Sequence, residues 1–322
     1  MLPQGYPVAT DKFLVPARQF VEVLAALGDE HSVKLEGDEG KVRIAADGTR
    51  YELDTLPAEE YPVRPPKETE DSWLLELDGQ DLKGALQDVA VAMESQEYRQ
   101  GLNGILWTVA SDGVLELTAT DTFRLADRAV AATPLVYPSE EFARAIMHRS
   151  TVALLVKLLD KAKAVRVGFG KTEIRGQFSV SIDQVTELIA DAVDSYYPHK
   201  NQVAKQEHEH RVSFDTEPVV KQLRKLVKVA AENAERIVIE FDPDNTIAKA
   251  KSKGFGTVSV NLPIEYSGEP FRLGLNVRYL LEGLARMQFL TILSWNSKDK
   301  PVSFTSGAYE YVQMPLVLRG EE

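Results

Sequence analysis

Five segments of this chain open a helix in the same way, and this internal repeat constrains the possible folds more than any single motif. Each segment has an apolar residue, then an opening position, then apolar residues four, eight and eleven positions later. The opening positions are Pro16, Asp78, His148, Asp215 and Asn276. Their separations of 62, 70, 67 and 61 residues predict one supersecondary unit that is used five times.

Each unit is predicted to contain one helix and several antiparallel strands. In the second unit, residues 73–77 predict a strand, Asp78 is a suitable N-cap, and a helix is expected from about 80 to 92. Residues 104–109 and 114–119 flank an Asp-Gly turn, which predicts a hairpin. One unit is too small to bury both faces of its helix and sheet, so neighbouring units must pair in an α+β fold.

Two junctions divide the repeats into domains. They lie at residues 62–67 and 197–202, where proline and polar residues are frequent. With two units in each domain, the predicted domains are 1–70, which holds one unit, and 71–198 and 199–322, which hold two each.

The chain is acidic and has no cysteine. A formal net charge of −12, taken as a total, argues against nucleic-acid binding. The absence of cysteine excludes disulfides and thiolate metal sites. The first five residues resemble no secretory signal, and no apolar run is long enough to span a bilayer. We therefore expect a cytoplasmic protein that does not associate with membranes.

Basic residues are concentrated on three of the five helix segments. A helix predicted over 217–235 places four of them on one face. These are Lys221, Arg224, Lys225 and Lys228. The third and fifth helix segments add Arg149, Lys157, Lys161, Lys163, Arg278 and Arg286. Any one helix could simply be solvated, but equivalent positions in three repeats predict a basic wall that contacts phosphates without reading bases.

The sequence contains no catalytic constellation that we recognise. Residues 168–172 share glycines and a Lys-Thr pair with the end of a P-loop, but their place between two strands favours a hairpin turn. His208 and His210 could share one face of a strand, but they lack a clear third ligand, which favours a solvated linker. We expect a protein that is not an enzyme and needs no cofactor or metal.

Several segments carry a family resemblance. Leu-Asn-Gly-Ile-Leu at 102–106 and Ala-Thr-Asp-Thr-Phe-Arg-Leu-Ala at 119–126 resemble the middle-domain signature of the bacterial sliding clamp, the β subunit of DNA polymerase III. Residues 309–316 resemble the C-terminal ending of that family. Residues 15–18 and 55–62 resemble the second half of its first domain, so the similarity runs from about Lys12 to Leu318.

The resemblance implies a ring-forming DNA-clamp fold. In that family, three domains of two units each form a protomer, and a homodimer closes the ring around duplex DNA without sequence preference. Helices line the hole, which assigns the basic residues above, together with Arg99, to the DNA-facing wall. The family has six repeats, so the first half of domain one is expected to be missing here.

The resemblance also implies a peptide-binding pocket between the second and third domains. This pocket receives motifs of the DNA polymerase III catalytic subunit, the clamp loader and other clamp-binding proteins. The corresponding residues are Leu102, Thr120, Arg124, Leu125, Pro198, Val203, Val312, Met314, Pro315 and Leu316. For Leu102 and Leu125, a role in the core is an alternative. The family usually has Gly-His where this chain has Thr122-Phe123, which changes the expected pocket shape.

The resemblance implies a dimer interface in which the strand with Tyr51 and Leu53 lies against the region of Val229 and Ala230 of a second chain. A runner-up interpretation is a clamp-like peptide-binding protein that does not encircle DNA and competes for clamp partners.

Overall fold

A computed structural model describes most of the chain. The described residues are 13–28, 32–38, 40–46, 48–61, 74–96, 99, 101–110, 113–135, 142–171, 176–198 and 208–318. The chain divides into two compact units, Met1–Lys67 and Glu68–Glu322. No helix in the described ranges is long and apolar enough to cross a membrane.

The five predicted opening positions all stand at the N-cap of a helix, which confirms the repeat. The helices are α1 (Ala17–Leu27), α2 (Gly79–Ala90), α3 (Arg149–Leu158), α4 (Thr216–Leu223), α5 (Val227–Ala230) and α6 (Val277–Leu284). The side chains of Asp78 and Asn276 each accept two backbone N–H groups of the first turn, and His148 accepts one. Among the described residues, Pro16 and Asp215 make no side-chain cap bond.

The repeated apolar positions form the buried face of each helix. In α2, Leu82, Leu86 and Val89 are completely buried. In α1 the pattern is less well covered, because Leu24 is 38% exposed. The neighbouring Val21 is 62% exposed, so α1 retains an apolar surface.

The long helix predicted over 217–235 is wrong as a continuous element. After α4, a 3-10 turn over Arg224–Leu226 leads into α5, and a second 3-10 turn covers Ala231–Asn233. Ala234 and Glu235 then take positive φ angles of 51° and 58°, which ends the helical path. The segment is rich in valine, whose β-branched side chain lowers helix propensity and weakens a continuous helix.

In the first compact unit, Met1–Lys67, one helix packs on a small sheet. Its sheet has the order β2-β3-β4, formed by β2 (Lys34–Asp38), β3 (Lys41–Ala46) and β4 (Thr49–Asp54). Two short strands, β1 (Phe13–Leu14) and β5 (Leu56–Pro57), pair separately. Val23 and Leu27 of α1 pack against Ile44 and Ala46 of β3.

The described part of the second compact unit, Glu68–Glu322, contains three antiparallel sheets. The five-stranded sheet has the order β10-β6-β12-β13-β14. Its strands are β6 (Leu75–Asp78), β10 (Thr133–Pro134), β12 (Ala164–Lys171), β13 (Gly176–Ile182) and β14 (Thr186–Asp191). Residues 168–171 belong to β12, which corrects the prediction of a hairpin turn at those positions.

The largest sheet has eight strands in the order β11-β7-β8-β9-β22-β21-β20-β15. They are β7 (Gly104–Ala110), β8 (Leu115–Thr120), β9 (Arg124–Val130), β11 (Phe142–His148), β15 (His210–Asp215), β20 (Leu290–Trp295), β21 (Val302–Ser306) and β22 (Tyr309–Gln313). The remaining sheet has the order β18-β17-β16-β19. Its strands are β16 (Arg236–Phe241), β17 (Thr246–Ser252), β18 (Gly256–Leu262) and β19 (Phe271–Asn276).

The pairing of β9 with β22 joins two halves of the second unit into one sheet. The register places Leu125 opposite Val312 and Ala126 opposite Tyr311. One buried core cluster continues across this joint and contains Trp107, Ala126 and Tyr311. The two halves therefore share both a hydrogen-bonded ladder and a core.

Arg124 reinforces this joint from the side of the helices. Its Nε donates to Asp121 Oδ2 at 2.9 Å, and its Nη1 donates to Glu282 of α6. The guanidinium also lies 4.1 Å from the centre of the Tyr279 ring. Burial lowers the pKa of Arg124, but hydrogen bonding to Glu282 and the charges of Tyr311 and Asp121 outweigh it and raise the pKa. Arg124 therefore stays charged and connects β9 to α6.

The cap bonds make a matched test possible. Asp78→Ala should lower the free energy of unfolding by about 1 kcal/mol, because two backbone N–H groups lose their acceptor. Asp215→Ala removes the same side chain from the equivalent position, which lacks cap bonds, and should cost less than about 0.5 kcal/mol. Urea denaturation of both variants measures the difference, and equal losses would contradict the assignment.

Arg124→Met should destabilise the second unit by about 3 kcal/mol, since Asp121 and Glu282 would lose a largely buried cation. The control is Arg166→Met, whose partner Glu76 is 41% exposed, and it should cost less than about 1 kcal/mol. The denaturant midpoints of the two variants, each compared with that of the unchanged protein, measure the two losses of stability. A small loss for Arg124→Met would mean that the ion pairs do not stabilise the joint.

Candidate nucleic-acid interface and peptide pocket

The basic residues expected to face DNA are nearly all exposed. Arg149 and Lys157 belong to α3, whereas Lys161 and Lys163 follow its end. The largest group, which we call the α4–α5 basic face, consists of Lys221, Arg224, Lys225 and Lys228, all exposed. Arg278 lies in the first turn of α6 and Arg286 lies just beyond its end, and both are exposed. Arg99 is half-buried.

Neutralisation by neighbours differs among these cations. Arg278 pairs with Glu235 at 2.8 Å, and Arg99 pairs with Glu94 at 3.3 Å. Arg149 donates to the Ser95 carbonyl oxygen at 2.7 Å. Within the described residues, no member of the α4–α5 basic face makes an ion pair, so its charge is available to an anion.

The α4–α5 basic face points away from the core. Val219, Leu223 and Leu226 cover the sheet side of the same segment and are almost completely buried. The amphipathic pattern predicted from the sequence is therefore preserved, although the segment is broken by a 3-10 turn.

The outer face of the eight-stranded sheet brings several predicted pocket residues together. Thr120 lies opposite Leu125, which lies opposite Val312, and the last two form an apolar cluster separate from the main core. The Met314 N–H donates to the Phe123 carbonyl oxygen at 2.8 Å, and Met314 is 38% exposed. These contacts place Met314 at the end of the same row.

A second apolar cluster lies on that outer face. Leu102 packs against Leu106, Ile146 and Tyr197, and Pro198 follows Tyr197 directly. The Tyr197 hydroxyl donates to the Thr118 carbonyl oxygen at 3.1 Å. Burial raises the pKa of Tyr197, so the phenol stays protonated and keeps donating this bond. Tyr197 was not among the predicted pocket residues, although its position directly before Pro198, which was predicted, indicated that it would lie near them.

The side chain of Arg124 is directed towards α6, where it bonds to Glu282 and lies over the Tyr279 ring, and its predicted part in the pocket stays a prediction. Side chains alternate along a strand, so Arg124 shares the helix side with Ala126 while Leu125 faces outwards. Pro315 and Leu316 are half-buried, and the Leu316 N–H donates to the Gly274 carbonyl oxygen at 2.8 Å. Val203 lies outside the described residues.

The Thr122-Phe123 pair lies in a turn before β9, next to the predicted pocket residues. Thr122 has a φ of 78°, a left-handed conformation that is strained for a β-branched residue. Asp121 stabilises the turn by accepting the N–H groups of Phe123 and Arg124 at 3.0 Å each. Phe123 is 56% exposed beside Met314 and adds apolar surface to the rim.

The residues expected at a dimer interface differ in how far they are exposed. Tyr51 and Leu53 lie on β4, at the edge of the three-stranded sheet, and are half-buried. Val229 and Ala230 are 5% and 0% exposed in the core of the second unit. Their side chains therefore pack inside their own chain, and a contact of the surrounding region with a second chain stays a prediction. The nearby exposed edge is β18.

Family models match almost the whole chain. The DNA polymerase III beta subunit, N-terminal domain, matches residues 6–65. The central domain of the same subunit matches residues 76–199, and its C-terminal domain matches residues 201–314. The matches include the signature segments 102–106 and 119–126 and the α4–α5 basic face.

Individual relatives agree with this assignment. The beta sliding clamp of Synechococcus elongatus is 28% identical over 320 residues, covering 95% of this chain and 81% of the relative. That of Pseudomonas putida is 26% identical over 321 residues, covering 97% and 83%. The chain is therefore shorter than these relatives.

Solved structures show the same fold. The DNA polymerase III subunit beta of Pseudomonas aeruginosa superposes with a TM-score of 0.83 at 22% identity, covering 95% of this chain and 82% of that one. A Caulobacter crescentus beta sliding clamp, crystallised with polyethylene glycol in a region proposed to tether the beta motif, gives 0.81 at 23% identity, covering 95% and 81%. The chain therefore belongs to the DNA polymerase III beta subunit family, and its function is that of a DNA sliding clamp, a non-catalytic processivity subunit of the polymerase.

Proposed function

We propose that two copies of this chain form a ring around duplex DNA, with the α4–α5 basic face and the other exposed helix cations directed at the phosphates. The observation that carries this proposal is the α4–α5 basic face, whose cations make no ion pair with any described residue and lie on the side of the helices that faces away from the core. Contacts of this kind are independent of base sequence and weaken with salt. Such a protein acts on DNA in the bacterial cytoplasm.

The internal repeat suggests how the ring closes. β9 and β18 are each the third strand after the first helix of a proposed domain, and β22 and β4 are each the third strand after a second helix. Since β9 pairs with β22 within the chain, β18 and β4 are the equivalent edges left for a second copy. We propose that β18 of one chain pairs with β4 of the other in a homodimer, which brings Tyr51 and Leu53 close to the joint. The domain limits 1–70, 71–198 and 199–322 are part of this proposal.

Four apolar residues on the outer face of the eight-stranded sheet, which we call the outer apolar row, support a peptide pocket. Leu102, Leu125, Val312 and Met314 would accept the apolar side chains of an extended motif. Met314 is 38% exposed and would meet the motif directly, whereas Leu125 and Val312, at 4% and 2% exposure, would form the floor beneath it. Partners of this pocket would be the DNA polymerase III catalytic subunit, the clamp loader and other proteins with clamp-binding motifs. The region proposed to tether the beta motif in the C. crescentus clamp is a precedent from a relative.

Reversing two charges tests the DNA-facing assignment. Lys221→Glu with Lys225→Glu should weaken association with duplex DNA and reduce the slope of log affinity against log salt by about 2, since two phosphate contacts are lost. The control pair Lys298→Glu with Lys300→Glu removes the same number of exposed charges from a different turn. Fluorescence anisotropy at several salt concentrations gives the slopes. An unchanged slope, or the same change in the control, would contradict the assignment.

Placing a charge on the pocket row tests peptide binding. Met314→Asp should weaken binding of a labelled C-terminal peptide from a polymerase III catalytic subunit about tenfold or more, because an apolar anchor would meet a carboxylate. Phe289→Asp is the control, since Phe289 is 88% exposed, has a φ of 58° that aspartate tolerates, and lies on another turn. Peptide titrations of both variants provide the comparison. Equal affinities would place the peptide elsewhere.

A further inference from the structure

A basic cleft of about 530 Å³ lies on the four-stranded sheet β18-β17-β16-β19. Its charged lining residues are Glu232, Arg236, Lys249, Lys251, Lys253 and Arg272. Five cations and one carboxylate therefore line the cleft, in a chain whose formal net charge is −12. A concentration of like charge is costly in the free protein, and it raises the local concentration of anions.

The cleft and the α4–α5 basic face lie on opposite sides of this sheet. Ala248 and Ala250 of β17 are buried in the main core on the helix side. Lys249 and Lys251 alternate with them and therefore face outwards. Arg272 lies opposite Glu240 in the register of β16 with β19, on the same outer face. The DNA-facing surface proposed above does not include this cleft.

Part of the cleft is held in a fixed arrangement. Glu240 lies under its edge, 2.5 Å from the Lys249 amine and 3.4 Å from Arg272 Nε. One carboxylate thus orients two of the cations that line the cleft. The amines of Lys251 and Lys253 make no ion pair with any described residue, so the cleft keeps an excess of positive charge.

We propose that this cleft binds a compact polyphosphate, either the triphosphate group of a nucleotide or a short inorganic polyphosphate. Guanidinium groups match phosphate oxygens with paired N–H donors, and lysine amines add point charges. The volume is in the range of small-ligand sites. Single-stranded nucleic acid fits less well, because it is usually held by aromatic stacking, and no aromatic residue lines the described cleft.

This proposal goes beyond the clamp function and does not depend on ring closure. The lining cations lie on β16, β17, β19 and the β17–β18 turn, whereas the proposed joint uses the backbone edge of β18. Its failure would leave the DNA and peptide proposals untouched.

Isothermal titration of the full chain with inorganic tripolyphosphate, at low ionic strength and without divalent cations, tests the proposal. The variant Lys251→Gln with Lys253→Gln should weaken binding about tenfold or more, because two charge-assisted contacts are lost. The matched control is Lys298→Gln with Lys300→Gln, which removes two exposed charges elsewhere in the same part of the chain and should change the affinity less than about twofold. Thermal melting of both variants verifies that these exposed substitutions leave the fold intact.

The same titration with ATP and with an oligothymidylate separates the possible ligands. Equal binding of ATP and tripolyphosphate would assign recognition to the phosphates, and tighter ATP binding would add a contact to the nucleoside; both support the proposal. It is overturned if tripolyphosphate does not bind, if both lysine pairs have the same effect, or if only the oligonucleotide depends on Lys251 and Lys253.

Discussion

The pairing of β9 with β22 is the interaction on which the rest of the second unit depends. It turns two four-stranded layers into one sheet of eight strands, with a continuous core on the side of the helices. Arg124 adds a charged connection between β9 and α6 on that side. An edge strand normally exposes unpaired backbone groups, and this joint satisfies two such edges at once. Two edge strands that could otherwise pair with other chains pair with each other instead.

This joint also separates the functional surfaces. Because side chains alternate along each strand, the helix side receives Trp107, Ala126 and Tyr311, while Leu125 and Val312 form the outer apolar row. The cations of α4 and α5 lie beyond the helices, on the far side from that row. The proposed peptide pocket and the proposed DNA-facing surface could therefore be occupied together. This arrangement also explains how an acidic chain can hold DNA, since local charge and total charge differ.

Much of the fold could be predicted from the sequence, because the repeat is carried by local signals. An N-cap followed by apolar residues at four, eight and eleven positions specifies a helix and its buried face, and the structure places a helix at each of the five sites. The break after Leu223 was missed because a 3-10 turn of three residues shifts the phase of the apolar pattern too little to interrupt it in the sequence. The bonds of Arg124 to Asp121 and to Glu282 could not be predicted, because a sequence motif specifies neighbours along the chain, whereas tertiary packing brings α6 next to β9. Val229 and Ala230 were expected at an interface, but burial depends on the tertiary packing of β17 and α5.

The molar mass in solution tests most directly whether the edge strands β18 and β4 of two chains pair and close a ring. It is measured by light scattering across a range of protein concentrations. The account predicts a mass of two chains of 35.8 kDa each that persists on dilution into the micromolar range. It also predicts that the dimer gives way to single chains when a lysine replaces Val258, which packs against the core on β18, whereas Ser259→Lys on the opposite face leaves the dimer intact. A single-chain mass at every concentration would contradict ring closure through β18 and β4.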